Sequence, residues 1–551
     1  MEKVKDKIKF EKIINICIKI LLIFFTMLAL LNIIIFRDNL IQKYNYMGIF
    51  LFSVIYILII AMGIFLNKKI KNCINKKVRI ILKVILWIVF IGIQIIYGIL
   101  ISRKIGFDCG VVNGDAIDLV NGKFMNASYY ATNNNNIFLL LLLEGVFHIV
   151  HFFNSDQYLI ASIILNIVFI DIAIIYINKT CKTLFGDKYS FIHYFFSIPM
   201  LGLTPYIAIT YTDTLSLVYP ITIFYYYLCY KKSIQKREKY IIIMTILSVV
   251  GLLIKPTNII MTMAICIIEL VSFVNKKLSK VDENQNQITS IKKFATNLLL
   301  VILVSVMIYG AFYAYRDIRL GDYISKEDYE NKSLPLTHFF MMGLKPTEEE
   351  GTYYGYYNAT DVENTKSHIG VKAKISYNLE EAMKRLKKMG IVGYTSYLYD
   401  KCTWIISDGT FAYGIEGHFY TDEPIMKGKF AQIVQNYSYR EEEGYINITT
   451  NVLQAFWTML IFFILMGTIL KFLAKKEEKE SIYILRISMI GIILFILLFE
   501  ARARYLINYI PIFIVLGVYG TIQIHKMIKK IKHIKGEKNE KAKFDDYSTL
   551  L

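Results

Sequence analysis

Four aspartates that could take part in proton transfer lie beside long apolar runs of the sequence. Asp108, Asp115 and Asp118 follow the apolar run 80–102, and Asp213 stands in the short motif "YTDT". A carboxylate within hydrogen-bond reach of a hydroxyl group can take its proton. Structural roles are the alternatives: Asp108 and Asp213 could each cap a helix. Asp115 and Asp118 are predicted to face solvent on an amphipathic helix.

Three basic residues beside other apolar runs have the chemistry of an anion site. Lys255 lies in the proline-containing turn "LLIKPTN", and Arg502 and Arg504 accompany Glu500 in "EARARYLINYIP". A guanidinium fork matches phosphate geometry, and partial removal from water strengthens its hydrogen bonds. The alternatives left open are a lysine that extends to the membrane surface and arginines that anchor a helix at lipid headgroups.

The composition places the chain in a membrane. Of its 551 residues, 55% are hydrophobic, the mean hydropathy is +0.44, and several apolar runs exceed the roughly 20 residues that span a bilayer. The formal net charge of +19 is explained by basic loops kept in the cytoplasm and by contact with anionic membrane lipid. We expect no nucleic-acid partner, because no binding motif accompanies this charge.

The sequence predicts an all-α polytopic membrane protein with about twelve transmembrane helices and with interfacial helices in its first large outer loop. The predicted spans are 12–36, 47–66, 80–102, 157–177, 190–207, 214–230, 240–254, 258–274, 294–314, 452–473, 482–499 and 505–525.

Basic loops decide the orientation of these spans. The segments 67–79 and 231–239 are strongly basic, which places both in the cytoplasm. Asp108 and Asp213 are then on the outer face, so the chain between them must cross an even number of times. One of three apolar runs therefore does not cross, and 137–153 is assigned to the outer leaflet as an interfacial helix. Both termini are predicted to be cytoplasmic.

The predicted topology divides the chain into five parts. These are an N-terminal two-span extension at 1–79, a membrane core at 80–314 with the outer loop 103–156, an extracytoplasmic loop domain of mixed structure at 315–451, C-terminal transmembrane helices at 452–525, and a basic cytoplasmic tail at 526–551.

Several short motifs, taken in order, resemble a known family. They are "FDCG", "AIDLVNGKF", "YYATNNNNIFLLLLLEGVF", "YTDTLSL", "LLIKPTNII", "THFFMMGL", "GYYNATD" and "EARARYLINYIP". Their order and their topology resemble bacterial integral-membrane glycosyltransferases of the GT-C class. The closest likeness is to Gram-positive members that take sugar from a polyprenyl-phosphate carrier. The resemblance runs from about residue 90 to residue 520.

The resemblance implies roles for the charged residues. Asp108 matches the aspartate that acts as general base in the first outer loop, and Asp213 matches a second outer acidic residue that orients the acceptor or the base. Arg502, Arg504 and Lys255 would stabilise charge on the departing phosphate. A single carboxylate base and a phosphate leaving group imply inversion at the anomeric carbon.

The resemblance also implies a set of substrate-binding residues. Asn135 and Asn136 match a family Asn-Asn pair, although the Tyr-Pro that usually precedes the pair is absent. His338 and Asp361 in the large loop, with Glu500, would line the sugar site. A packed loop histidine is the alternative for His338.

The implied partners are a polyprenyl-phosphate-linked sugar donor, a glycan, lipid or protein acceptor, and membrane lipid. No cofactor and no metal site is predicted with certainty, although an aspartate pair leaves room for a divalent cation. The resemblance implies a multi-pass cell-membrane enzyme with an extracytoplasmic active site. Two other functions stay open: a lipid-linked polysaccharide polymerase or ligase, and a non-enzymatic transporter or flippase of lipid-linked sugars. Charges at span ends and the absence of an inverted repeat disfavour the transporter.

Overall fold

The described part of the chain is helical. The computed structural model describes residues 2–35, 44–73, 75–124, 126–153, 156–233, 235–278, 286–346, 354–413, 424–439, 448–474 and 478–548. Within these ranges the chain forms helices and no strand; a single isolated antiparallel bridge joins Arg103 to Pro424. The all-α prediction is therefore confirmed. The described residues of 315–451 form helices, in place of the mixed structure that we expected.

The α-helices are numbered here in chain order. They are α1 Glu2–Ile34, α2 Tyr46–Cys73, α3 Lys76–Leu100, α4 Phe107–Val120, α5 Ala127–Thr132, α6 Ile137–Phe152, α7 Tyr158–Phe185, α8 His193–Ser197, α9 Thr212–Leu215, α10 Val218–Lys232, α11 Arg237–Ile254, α12 Ile259–Leu278, α13 Asn286–Leu320, α14 Lys326–Lys332, α15 Leu336–Met342, α16 Ala359–Lys366, α17 Val371–Ile406, α18 Lys429–Ser438, α19 Ile448–Leu473, α20 Glu480–Leu498 and α21 Ile510–Ser548.

Ten helical segments of the described residues are long and apolar enough to cross a membrane. They are Lys12–Ile34, Tyr46–Asn67, Lys77–Leu100, Asn134–Phe152, Tyr158–Phe185, Pro256–Val274, Ala295–Leu320, Ile448–Leu473, Glu480–Leu498 and Ala503–Ile531. The chain is thus a multi-pass membrane protein, while the number of times it crosses the membrane and the direction of each crossing stay predictions. The segment Asn134–Phe152 has the length of a span, so the interfacial position expected for this run also stays a prediction.

The predicted span 190–207 is wrong as a continuous helix. Only His193–Ser197 is α-helical there, and it is flanked by a 3₁₀ turn, a π turn and a second 3₁₀ turn. Pro199 and Pro205 begin the two turns that follow α8, and proline removes a backbone donor that a helix needs. The segment packs against α7 and its apolar side chains are buried. The prediction was wrong because a buried irregular segment can be as apolar as a transmembrane helix.

The first and the last helices of the chain, α1 and α21, pack in the same helical bundle. Helix α1 packs against α19 and α20, and α19 packs along α21. The α19–α21 contact depends on glycine: a Cβ on Gly467 would lie 2.5 Å from the Cα of Gly520. A Cβ on Gly520 would overlap the Phe463 carbonyl oxygen. Small residues allow this close backbone approach, which is a common means of packing membrane helices.

We predict that Gly520→Ala lowers stability by about 1–3 kcal/mol, because the added methyl group must push α19 and α21 apart. The measurement is the thermal unfolding temperature of the purified chain in detergent. Gly310→Ala is the matched control, since a Cβ there meets nothing within 4 Å. An equal effect of both substitutions would contradict this account of the contact.

Candidate functional site

The sharp entry to α4 positions Asp108. Phe107 has a left-handed backbone conformation with φ 45°, and Gly106 occupies the N-cap position. Gly110 is required because a Cβ there would overlap the Ile105 carbonyl oxygen. Asp108 consequently lies in the first turn of α4 and does not act as its N-cap. A carboxylate in a first turn is also favoured by the helix dipole.

Asp108 is surrounded by neutral hydrogen-bond donors. Tyr129 donates its hydroxyl hydrogen to one carboxylate oxygen over 2.7 Å, and the Tyr211 hydroxyl lies 3.3 Å from the other. Asn136 donates to the Tyr129 hydroxyl over 2.7 Å and lies within reach of Tyr211. Burial, together with the Asp108 charge, raises the pKa of both tyrosines above the ordinary value of a phenol. Both phenols therefore remain protonated donors.

The partners of Asp213 are charged, unlike the neutral partners of Asp108. Two cations share the Asp213 carboxylate. Lys255 donates to one oxygen and Arg504 to the other. The three residues are only 2%, 6% and 5% exposed, respectively. Burial alone would raise the pKa of Asp213, but the Arg504 and Lys255 charges hold it below its ordinary value. Asp213 is thus an ionised structural partner of two cations.

A polar residue inside α7 holds the chain that leads to Asp213. The Asn166 side-chain amide donates to the carbonyl oxygens of Tyr206, Ile207 and Ile209 over 2.9, 3.0 and 3.3 Å. These carbonyl groups belong to the irregular segment before α9, where few backbone hydrogen bonds form, so the amide adds partners that a continuous helix would have supplied. Asp213 follows in the first turn of α9.

The turn that carries Lys255 docks against the segment that carries Arg504. Asn508 donates to the Thr257 hydroxyl over 2.9 Å and to the Asn258 side-chain oxygen over 3.0 Å. Lys255 is in an extended conformation before Pro256, as expected for a residue that precedes proline. These contacts bring both cations to the same carboxylate.

Glu500 and Arg502 form a second charged group beside the first. Arg502 donates to Glu500 over 2.9 Å and to the Tyr356 hydroxyl over 2.9 Å, and its guanidinium lies 4.3 Å from the centre of the Tyr356 ring. Tyr505 donates to the other Glu500 oxygen over 3.2 Å. The Tyr505 ring in turn lies 4.6 Å from the Lys255 ammonium. Tyr505 therefore joins the two charged groups.

A buried lysine of α17 fixes the segment before Glu500. Lys401 of α17 donates to the carbonyl oxygens of Gly343, Leu497 and Phe499 over 2.7, 2.9 and 2.7 Å. Its side chain is fully buried, and burial lowers its pKa to about 7. Lys401 thus couples the large loop to the charged cluster.

The structure brings together most of the residues that sequence analysis singled out. Asp108, Asp213, Lys255, Arg502, Arg504, Glu500 and Asn136 form one connected group, here called the charged cluster. A small cavity lies inside it between Phe107, Tyr211, Asp213 and Arg504. Asn135 is exposed and donates to Asn136 over 3.2 Å at the edge of the cluster.

Three sequence expectations need correction. His338 is fully buried and bonds the Thr365 hydroxyl at 2.8 Å, so it is the packed histidine that we gave as its alternative. Asp361 is buried in a two-point ion pair with Arg385, at 2.8 and 2.9 Å. Both side chains are thus held by partners outside the charged cluster. Asp115, which was expected to face solvent, is buried as well. Asn126 and Tyr130 donate hydrogen bonds to its carboxylate over 2.7 and 2.9 Å.

The aspartate pair does not fit a divalent cation. Asp213 is already paired with two positive side chains, which would repel a metal ion. Within the described ranges no group of three His, Cys, Asp or Glu side chains is arranged to hold a metal.

Several cluster residues escaped sequence analysis. Tyr129 and Tyr211 belong to the motifs "YYAT" and "YTDT". Sequence analysis considered only the neighbouring acidic and amide residues of these motifs, although the tyrosines could have been identified as hydrogen-bond donors there. Tyr356 lies in "GYYNATD", where only Asp361 was singled out. Lys401 carried no signal, since its partners are backbone carbonyl groups.

Fold and site together define a polytopic, all-helical membrane protein with a buried group of opposite charges at one end of its helices. The family described as "conserved hypothetical integral membrane protein" matches residues 8–524. The chain belongs to this family. Comparison with curated proteins and comparison with solved structures each gave no significant match.

We predict that Asp213→Asn destabilises the protein by about 3–5 kcal/mol, because it leaves two buried cations without their shared carboxylate. The loss should shrink when Lys255→Met is added, as a double-mutant cycle of unfolding temperatures would measure. Asp317→Asn is the control, since the Asp317 side chain is 47% exposed in its ion pair with Arg316, and a pair with a carboxylate in water is worth at most about 1 kcal/mol. Equal losses at both aspartates would contradict the buried pairing.

We also predict acid sensitivity from the same group. Because the pKa of Asp213 is lower in the folded state, its stabilising contribution is complete above the unfolded value of about 4 and is lost as pH falls through the folded value. Unfolding temperatures measured from pH 7 down to pH 3 should show a loss below about pH 4 that is smaller in Asp213→Asn. Identical pH curves for both proteins would refute this assignment.

Proposed function

We propose that the protein is a membrane glycosyltransferase that moves a sugar from a polyprenyl-phosphate donor to a cell-envelope acceptor on the outer face, with inversion. One observation carries the proposal: a carboxylate that is hydrogen-bonded by hydroxyl groups lies beside a group of buried cations, and these residues come from distant parts of the chain. Acceptor activation needs the first, and a phosphate leaving group needs the second.

The contrast between the two aspartates supports Asp108 as the base. A proton acceptor is weakened by adjacent cations, and two of them hold the Asp213 carboxylate. Among the described residues, Asp108 is hydrogen-bonded by tyrosine hydroxyl groups, and an acceptor hydroxyl could replace one of these. We therefore assign Asp213 to the positioning of Lys255 and Arg504, which deepens its expected role as an orienting residue.

The cations differ in accessibility, which suggests an order of contact with the donor. The side chain of Arg502 is 14% exposed, whereas the side chains of Lys255 and Arg504 are 8% and 6% exposed. Arg502 would meet the donor phosphate first. The charged cluster holds three cations and three carboxylates, so it gains one net positive charge when Asp108 takes the acceptor proton, and this charge would stabilise the negative charge that grows on the departing phosphate.

The proposed reaction is a single displacement. Asp108 takes the proton of the acceptor hydroxyl, whose oxygen forms a bond to the anomeric carbon of the donor sugar. The bond from that carbon to the phosphate oxygen breaks at the same time, and its electron pair leaves with the polyprenyl phosphate. Attack from the face opposite the leaving group gives inversion.

We predict that Asp108→Asn abolishes transfer, lowering the rate by at least about 100-fold, because an amide cannot take the proton. The measurement is mass spectrometry of cell-envelope glycans from a deletion strain that expresses the wild type or the variant. The sugar lost in the deletion strain should return only with the wild type. An unchanged glycan profile in the deletion strain would overturn the proposed function.

Asp118→Asn is the matched control for this experiment. Asp118 lies on the same helix and undergoes the same chemical change, but it is outside the charged cluster. It should restore the sugar. The Asp108→Asn protein should still bind polyprenyl phosphate in detergent, detected by its unfolding temperature, because the cations are intact. Restored glycan with Asp108→Asn would instead fit a transporter and would exclude Asp108 as the base.

A further inference from the structure

A second charged site lies at the other end of the same helices. Along α21, the residues from Ile510 to Lys526 advance by about 24 Å, at 1.5 Å per residue. Helix α20 covers a similar distance from Ile482 to Leu498. The charged cluster lies beside Leu498 and Ile510. A cleft of about 280 Å³ opens near Ile482 and Lys526, close to a bilayer thickness away from the cluster.

The cleft combines apolar walls with basic edges. Phe185, Ile482 and Tyr519 supply apolar surface, and the Phe185 and Tyr519 rings are stacked with centroids 5.9 Å apart. Lys471, Lys479 and Lys526 line it as well. Its volume is close to the lower limit of about 300 Å³ for small-molecule sites, which is enough for a phosphate group and the start of an acyl chain. This combination fits a ligand that has both an anionic and an apolar part.

A nearly buried ion group adjoins the cleft, with its carboxylate, Glu478, in the lining and its two cations, Lys19 and Arg486, outside the lining. Glu478 accepts two hydrogen bonds from Arg486, at 2.8 and 3.0 Å, and lies 3.0 Å from the Lys19 ammonium. Tyr519 donates its hydroxyl hydrogen to the same carboxylate. Glu478 and Arg486 side chains are 1% exposed and Lys19 is 7% exposed. Among the residues that the structure describes, one carboxylate thus faces two buried cations.

This excess distinguishes the cleft from an ordinary basic loop. A solvated lysine-rich surface keeps its charges in water, where salt screens them. Here one positive charge is held in a nearly dry group behind the cleft wall, where its field is screened much less. An anion in the cleft would relieve that excess and would also contact the lysines at the edge.

We infer that this cleft binds a phosphate group, with the apolar walls holding the tail of a membrane lipid that carries it. Free phosphate has the same anionic chemistry and is the second possible source. The inference does not depend on the proposed glycosyl transfer, because it concerns other residues at the opposite end of the bundle.

The test uses the purified full chain with Lys479→Gln and Lys526→Gln combined. Native mass spectrometry would follow retention of phosphatidylglycerol from mixed micelles that also contain phosphatidylcholine. We expect the wild type to retain phosphatidylglycerol and the double variant to bind it about 30-fold more weakly. That change equals about 2 kcal/mol, or about 1 kcal/mol for each lysine. Unfolding temperatures without lipid would show that the variant is folded.

Lys530→Gln is the control, since Lys530 is exposed on the same helix one turn beyond Lys526 and does not line the cleft. It should bind phosphatidylglycerol as the wild type does. A second arm titrates inorganic phosphate in phosphatidylcholine micelles. Stabilisation there that the double variant loses, without lipid retention, would support the site with free phosphate as its ligand. Equal weakening by Lys530→Gln, or no binding of either probe, would overturn the inference.

Discussion

The structure depends on one buried interaction, the sharing of the Asp213 carboxylate between Lys255 and Arg504. The three residues are far apart in sequence and lie at the ends of different helices. Removing any of these charges from water is unfavourable unless the partners are present. The fold must therefore bring the three helix ends together. Asn166 and Asn508 complete the arrangement by satisfying the irregular backbone and the turn that carry the charges.

This constraint also separates two carboxylates that look alike in sequence. Asp213 is ionised by its cations and held rigidly, which suits it to fixing positive charge in place. Asp108 lies in the same cluster but faces Tyr129 and Tyr211, whose hydrogen bonds can be exchanged for those of another hydroxyl group. Pairs of acids placed in different environments commonly divide their chemical tasks in this way. The proposed roles follow from the partners of each acid.

The sequence predicted the helical class and the meeting of the charges, because charged residues beside apolar runs are restricted to helix ends. It could not predict their pairing, since the partner of Asp213 depends on tertiary contacts. It failed at 190–207, where average hydropathy hides the effect of Pro199 on a helix. It could not show either that His338 and Asp361, which were expected to line the sugar site, are both buried. Their partners are internal, and no local pattern reveals this.

The two ends of the bundle show the same composition of buried charge. Among the described residues, the innermost group at each end has two cations and one carboxylate: Asp213 with its lysine and arginine at one end, and Glu478 with Lys19 and Arg486 at the other. At the first end the surrounding Asp108, Glu500 and Arg502 bring the whole cluster to charge balance. A group with balanced charges would be sufficient to hold helices together. A group with one positive charge in excess costs more to bury, and that cost falls when an anion binds. Phosphate is the anion that lipid carriers and membrane lipids both supply, so the same physical reason favours a phosphate ligand at either end.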